Sequence, residues 1–371
     1  MRAPSPRRSM RTSSPASTVV SDPALVLPAA DADAPRILIV RLSALGDIVF
    51  ASSMLDALRR RWPRAHIAWL AQGGFAGILD GDPRVDELIR APAEVLQSPA
   101  ALWRLRRELR ARRFDWTFEV QGLFKSRLVA WLAGGTRVGF RSKEPGAFLM
   151  RHLLDKGGDI ADIASEYRYF AARVSGLRAG PPHLVVGDAR RAAVAARRAE
   201  LGIADGFVAL CPFTTRPQKH WIEDHWPQLV QRLHDAGVGP CVLFGGPGDA
   251  EAAARIAAAT PVPLIDLTGQ TRFAELPAWL AQARLVIGVD TGLTHIGIAV
   301  RTPTIALFGS TCPYTKGAES PLLVMYDALP CAPCRRRPTC EGRYDCMRGL
   351  TPQRVATAAR QLLGVAPPAA P

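Results

Sequence analysis

No apolar run in this 371-residue chain approaches the roughly 18 residues that a membrane-spanning helix needs, so any contact with a bilayer must be peripheral. Acidic residues are scarce: 33 Asp and Glu stand against 47 Lys and Arg, a net charge of +14. That excess suits anionic partners, whether nucleic acid, phosphorylated sugars or a lipid face, and is equally the mark of an arginine-rich solvated surface. Cysteine is too unevenly placed for the disulfide framework of a small secreted domain. Cys211, Cys241 and Cys312 lie in or beside apolar runs and read as small core residues. Also missing is a G-x-G-x-x-G after the first strand, the mark of a nicotinamide-dependent oxidoreductase. The nearest approach, Gly246, Gly248 and Glu251, fails at its last position.

What remains is long enough for two domains. Residues 1–35, rich in Ser, Pro, Arg and Ala, read as a disordered arm, with Met10 as a rival start. Arg7 and Arg8 form a twin arginine, but the apolar stretch that an export signal requires is short and holds Pro28. From Arg36, β-branched runs alternate with segments of helical periodicity. RILIVR at 36–41 reads as a buried parallel strand, Ile48, Ala51, Leu55 and Leu58 as one helix face, and HIAWLA at 66–71 as the next strand. A second series runs from Phe207 to Phe308, with strands expected at 207–211, 241–244, 285–289 and 304–308. This predicts an α/β protein with two parallel-sheet domains, 36–182 and 183–350, parted near Gly180-Pro181-Pro182. A last helix over 351–364, with Thr351 as N-cap, is expected to pack back on the first domain.

Open α/β sheets bind ligands beyond the C-terminal ends of their strands. Ser43-Ala44-Leu45-Gly46-Asp47 follows the first strand, and a carboxylate at that helix start can accept a proton from a hydroxyl or serve only the helix end. Thr214, Thr215 and Lys219 lie in a loop after the strand at 207–211, where they offer donors and a charge to a phosphate. Asp290, Thr291, Gly292, Leu293 and His295 join a strand to a helix whose first N–H groups favour an anion. Asp249, after a glycine-rich turn, suits ribose hydroxyls. Four thiols, Cys331, Cys334, Cys340 and Cys346, are spaced for either a structural metal site or a loop of reduced cysteines. Arg106, Arg110 and Arg113 share one helical face of an arginine-rich segment, Leu102 to Phe114. A nucleic-acid module built on these arginines and cysteines would leave the polar loops after the strands unexplained, so no nucleic-acid partner is expected.

Together, LSALGD at 42–47, VQGLFKS at 120–126, TTRPQKHW at 214–221 and VDTGLTH at 289–295 resemble glycosyltransferase family 9, in its heptosyltransferase I branch. The resemblance spans nearly residues 36–320. It implies a GT-B fold, two Rossmann-like domains with the active site in an intervening cleft. It also implies inverting transfer of heptose from ADP-heptose to a Kdo sugar of the lipopolysaccharide inner core, with no cofactor or metal in catalysis. By the same resemblance, Asp47 matches the general base, and Thr214, Thr215 and Lys219 match donor-phosphate ligands. Asp290 to Leu293 with His295 match the donor-holding loop, and Asp249 stands where the branch carries a ribose-binding glutamate. Residues 36–182 would bind the acceptor and 183–350 the nucleotide sugar. The acceptor, Kdo-lipid A, implies a cytoplasmic enzyme resting on the inner face of the inner membrane, with Arg106, Arg110 and Arg113 toward acceptor and lipid. A later core sugar or a protein remains an alternative acceptor.

Overall fold

The computed structural model describes Leu25, residues 34–92 and residues 98–365. The expected N-terminal arm therefore lies, apart from Leu25 and positions 34 and 35, outside the described residues. In the first half the elements run β1 Arg36–Val40, α1 Leu45–Ala51, α2 Ser53–Arg61, β2 His66–Gln72, β3 Glu87–Ala91, α3 Pro99–Ala111, β4 Trp116–Glu119, α4 Phe124–Ala133, β5 Thr136–Phe140, β6 His152–Leu154 and α5 Ser165–Ser175. The second half follows with α6 Asp188–Glu200, β7 Val208–Cys211, α7 His225–Asp235, β8 Cys241–Leu243, α8 Ala250–Ala259, β9 Leu264–Asp266, α9 Leu276–Gln282, β10 Leu285–Val289, α10 Gly292–Ala299, β11 Thr304–Phe308, β12 Leu322–Tyr326, α11 Asp345–Arg348 and α12 Pro352–Leu363.

Each half forms one six-stranded sheet, ordered β3-β2-β1-β4-β5-β6 and β12-β11-β10-β7-β8-β9. Neighbouring strands are parallel, as in β1 beside β4 and β7 beside β10. Parallel strands need crossovers, and the helices that supply them cover both faces, so the strands are apolar on both sides. In β1, Ile37 and Ile39 enter the layer formed with α2 and α5, while Leu38 and Val40 enter the layer formed with α3 and α4. In both sheets the chain begins mid-sheet, winds out to one edge, then returns to wind toward the other. That leaves a crevice between β1 and β4 and another between β7 and β10, where the crossovers leave in opposite directions. The two crevices face each other. Ile48 and Val49 of α1 share one apolar cluster with Leu293, Ile296 and Ala299 of α10.

The C-terminal helix departs from expectation. Its N-cap is Thr351, whose side chain accepts from Arg354 N, but it docks on the second half. Val355, Ala356 and Ala359 of α12 are buried with Trp226, Leu229 and Leu233 of α7. Trp221 Nε1 donates to Leu350 O at 2.7 Å and anchors the approach. The small residues of α12 let it lie close to α7, whereas in the first half α5 already packs against α2. Cys312 is also not a core residue: it is half-buried in the loop after β11, while Cys211 and Cys241 are buried in strands.

Val355→Ala should therefore lower stability by about 2 kcal/mol, from two lost methyl groups and a partly relaxed void. Hydrogen exchange should quicken in α7 and leave α2 and α5 unchanged. Quickening in α2 instead would return the helix to the first half.

Candidate active site

A cavity of about 1040 Å³ lies between the two crevices. Its walls include Asp47 from the first half and, from the second, Thr214, Thr215, Lys219, Asp249 and the loop Asp290–Leu293 with His295. The N-termini of α1 and α10 cross at the cavity floor, and glycine makes the crossing possible. A Cβ on Gly46 would lie 2.6 Å from His295 Cδ2, and one on Gly292 would lie 2.8 Å from Leu45. Both separations are below contact distance, so the residue before Asp47 and the first residue of α10 must be glycine for the halves to meet this closely.

At the end of β10 the carboxylate of Asp290 holds three groups together, and its backbone carbonyl a fourth. Lys219 Nζ lies 2.6 Å from Oδ2 and His295 Nε2 lies 3.2 Å from Oδ1. Thr311 Oγ1 donates to Oδ2 at 2.7 Å, and Thr214 Oγ1 donates to the Asp290 carbonyl at 3.3 Å. Burial opposes the charge on Asp290, but the hydrogen bond and charge of His295, then those of Lys219, outweigh it and hold the carboxyl far below its ordinary range. The far side of the His295 ring, Nδ1, meets Tyr314 OH at 2.8 Å. Burial first, and then Asp290, raise the Tyr314 phenol well above its usual value, so it stays protonated. Both His295 nitrogens are thus committed inside the protein, and its part is to orient the loop. The backbone N–H groups that open α10 are left toward the cavity, a setting suited to an anion.

Asp47, at the third position of α1, is about two-fifths exposed. Its Oδ2 accepts from Ala44 N at 3.3 Å and pairs with Arg41, a buried guanidinium. Arg41 Nη1 in turn donates to Val120 O at 2.9 Å, at the end of β4. This arginine, unmarked in the sequence because its partner lies 79 positions away, fixes the carboxylate at the β1–β4 crevice. Asp249 is engaged by its own turn, with Oδ2 accepting from Gly246 N at 2.8 Å. Of the three carboxylates in the cavity, Asp290 is locked by cations, while Asp47 and Asp249 are half-buried and each caps its own helix start through Oδ2; Asp47 alone comes from the first half. Arg90 and Phe273, which the sequence motifs do not mark, also line the cavity.

Two groups from the sequence do not join this site. Arg106, Arg110 and Arg113 are exposed and outside the cavity lining, and they do not act as one face. Arg110 Nε donates to Leu132 O at 2.8 Å and its Nη2 to Trp131 O at 3.2 Å, so it ties α3 to the C-terminal end of α4. The four-cysteine spacing does not close a metal site either. Cys331 is exposed and Cys334 half-buried, while Cys340 and Cys346 are buried. Among the described residues no three His, Cys, Asp or Glu side chains converge as metal ligands.

Asp290→Asn should cost about 3 kcal/mol, because it leaves Lys219 facing a neutral amide in a nearly buried setting. A carboxyl held low in the folded state stabilises fully above its unfolded value of 3.8 and progressively less below it. Urea unfolding of both proteins should therefore give a constant gap from pH 7 to about 5. The gap should close as the pH falls below 3.8. A gap that shrinks between pH 7 and 5 would mean that another group carries it.

The architecture and the cavity match known proteins. The model of glycosyltransferase family 9 (heptosyltransferase) matches residues 102–345. Lipopolysaccharide heptosyltransferase 1 of Pseudomonas aeruginosa is 31% identical over 88% of this chain and 98% of its own length. Lipopolysaccharide heptosyltransferase 2 of Escherichia coli is 26% identical over the same shares. Among solved structures, E. coli heptosyltransferase WaaC with ADP-2-deoxy-2-fluoro heptose superposes with a TM-score of 0.65 at 25% identity, covering 88% of this chain and 99% of that one. A glycosyltransferase family 9 structure from Veillonella parvula, at 21% identity, shares the fold with a TM-score of 0.79 over 92% and 100% of the two chains. Two facing Rossmann-like sheets with one cleft between them are the GT-B fold, and this chain belongs to glycosyltransferase family 9, as a glycosyltransferase of the heptosyltransferase type.

Proposed function

We propose that this enzyme transfers heptose from ADP-heptose to a Kdo sugar of the lipopolysaccharide inner core, with inversion and with Asp47 as general base. The observation that carries this reading is the placement of Asp47, the cavity carboxylate that comes from the first half and is held there by Arg41, across from the Lys219–Asp290 loop and the start of α10. The names of the relatives supply the sugar and the pathway, and the WaaC complex supplies the nucleotide. In this reaction Asp47 takes the proton of the acceptor hydroxyl. The hydroxyl oxygen attacks the anomeric carbon, the bond from that carbon to the diphosphate oxygen breaks, and ADP leaves with the electron pair. Lys219 and the N–H groups of α10 offset the charge that develops on the diphosphate. Thr215 offers a further hydroxyl donor, Thr214 holds the loop through the Asp290 carbonyl, and the turn at Asp249 takes the ribose. Arg41 holds the Asp47 carboxylate in place as the acceptor arrives. Residues 36–182 then serve the reacting sugar of the acceptor and 183–350 hold the donor.

The acceptor is a lipid, and the first half carries a face suited to a membrane. Trp103, Phe124, Trp131 and Phe148 are exposed, Phe148 by 83%. They come from α3, α4 and the turn Ala147–Leu149, which pack side by side. Arg104, Arg106, Arg107 and Arg113 are exposed on or just after α3, with Arg107 lying over the Trp103 ring. Aromatic rings beside guanidinium groups favour the interface of an anionic bilayer. No helix among the described residues is long and apolar enough to cross a membrane. The reading is peripheral attachment at the inner face of the inner membrane.

ADP release from ADP-heptose should require a Kdo-terminated acceptor. Asp47→Ala should slow it about 10² to 10⁴-fold while the Kd for ADP is kept. Lys219→Ala should weaken ADP in calorimetry. Near-normal turnover by folded Asp47→Ala removes the base assignment, and a later core sugar or a protein serving better than Kdo moves the acceptor.

For the membrane face, Arg106→Glu with Arg113→Glu should weaken binding to phosphatidylglycerol vesicles about thirtyfold or more, at about 1 kcal/mol per basic residue. Trp131→Ala should add to the loss, and salt should mimic the arginine variants. Unchanged vesicle binding in the triple variant means that these residues are only solvated.

A further inference from the structure

A second cavity, of about 630 Å³, opens beside the first, and Arg216 lines both. Its wall is basic in an unusual way: Arg335, Arg336 and Arg337 join Arg216, and no acidic residue lines it. Several other arginines of this chain meet carboxylates, as Arg84 meets Asp82, Arg255 meets Glu223 and Arg354 meets Asp327. Among the described residues Arg216, Arg336 and Arg337 make no ion pair, and Arg335 reaches only Cys312 Sγ, at 3.9 Å. Four like charges around one hollow repel one another, and the missing partner is an anion.

The position of this wall is fixed by the donor loop. Gln218, buried between Pro217 and Lys219, donates through Nε2 to Arg335 O at 2.9 Å, and Arg335 N donates to Ser310 O at 2.5 Å. Thr311, whose hydroxyl binds Asp290, also lines the second cavity. The arginine wall is therefore built onto the same residues that form the Lys219–Asp290 network, and it lies beyond Arg216 as seen from the glycine-rich turn at Gly246.

The geometry points to a phosphate-monoester subsite for the acceptor in this second cavity, continuous with the transfer cleft across Arg216. A carboxylate presents two oxygens and can occupy one guanidinium fork, whereas a phosphate dianion presents three and can engage several forks at once. The donor diphosphate already has Lys219 and the start of α10. The anion left for the second cavity is therefore one carried by the other substrate. This inference rests on the sugar-transfer reading for the identity of that substrate, and on the cavity alone for the anion.

The test uses the full-length enzyme and an Arg336→Glu/Arg337→Glu variant, whose changed side chains are exposed. One arm does not involve turnover. Inorganic phosphate should slow the alkylation of Cys312 and Cys334 by iodoacetamide, mapped by mass spectrometry, in the wild type and not in the variant. The other arm compares a deacylated, phosphorylated core oligosaccharide with the same oligosaccharide after phosphatase treatment. The wild type should show a KM about tenfold or more lower for the phosphorylated form, as expected for charge-assisted hydrogen bonds. The variant should lose that preference with its Kd for ADP unchanged. Absence of protection by phosphate overturns the anion site. Protection without a KM preference overturns the acceptor assignment, and a weakened Kd for ADP in the variant gives the cavity to the donor. If no oligosaccharide is a substrate, the proposed function fails while the alkylation arm still decides the cavity.

Discussion

A buried carboxylate at the end of β10 organises this molecule. Asp290 is almost enclosed, and an isolated charge there would be neutralised by uptake of a proton. It stays ionised because Lys219 and His295 face it from two sides and Thr311 donates to it from a third. Each partner belongs to a different segment: the loop after β7, the second turn of α10 and the loop after β11. One charge thus draws together three segments that follow β7, β10 and β11 in the middle of the second sheet. Through Tyr314 the network continues to the side of His295 that faces away from Asp290.

The first half is coupled to this network by shape. Phe50 of α1 lies 4.4 Å from the His295 ring, centroid to centroid, and 5.8 Å from Tyr314. Gly46 and Gly292 remove the side chains that would hold α1 and α10 apart. The carboxylate of Asp47, held by an arginine anchored at the end of β4, consequently looks across a short gap at the opening turn of α10. In the proposed reaction base and anion cradle come from separate sheets, so the chemistry would depend on how the two halves meet, and Gly46 and Gly292 lie at that approach.

Much of this was legible in the sequence, for identifiable reasons. Strands buried on both faces read as unbroken β-branched runs, so β1, β10 and β11 stand out, and the polar loops after them could be singled out as ligand-facing. Short edge strands such as β6 and β9, three residues each, carry too little pattern to find. Arg41 gave no local signal because the sheet brings it Val120, and its pairing with Asp47, six positions on, follows no helical or strand spacing. Helical spacing placed Arg110 beside Arg106 and Arg113, yet spacing cannot say that carbonyls at the end of α4 lie within its reach. The apolar face of α12 was clear, but either half offers an apolar surface, and only the fit of Val355 and Ala359 against α7 selects one. Cysteine spacing likewise gave proximity, and the four thiols do lie near one another, but among the described residues they do not form a group that could hold a metal.

The central claim is that one carboxylate from the first sheet activates the acceptor while the second sheet holds the leaving diphosphate. Such an arrangement allows a single displacement at the anomeric carbon by the acceptor hydroxyl, without a glycosyl-enzyme intermediate. The anomeric configuration of the product, read by NMR after transfer from ADP-heptose of defined configuration, tests this most directly. The account predicts inversion in every turnover. A product that retains the donor configuration would contradict it.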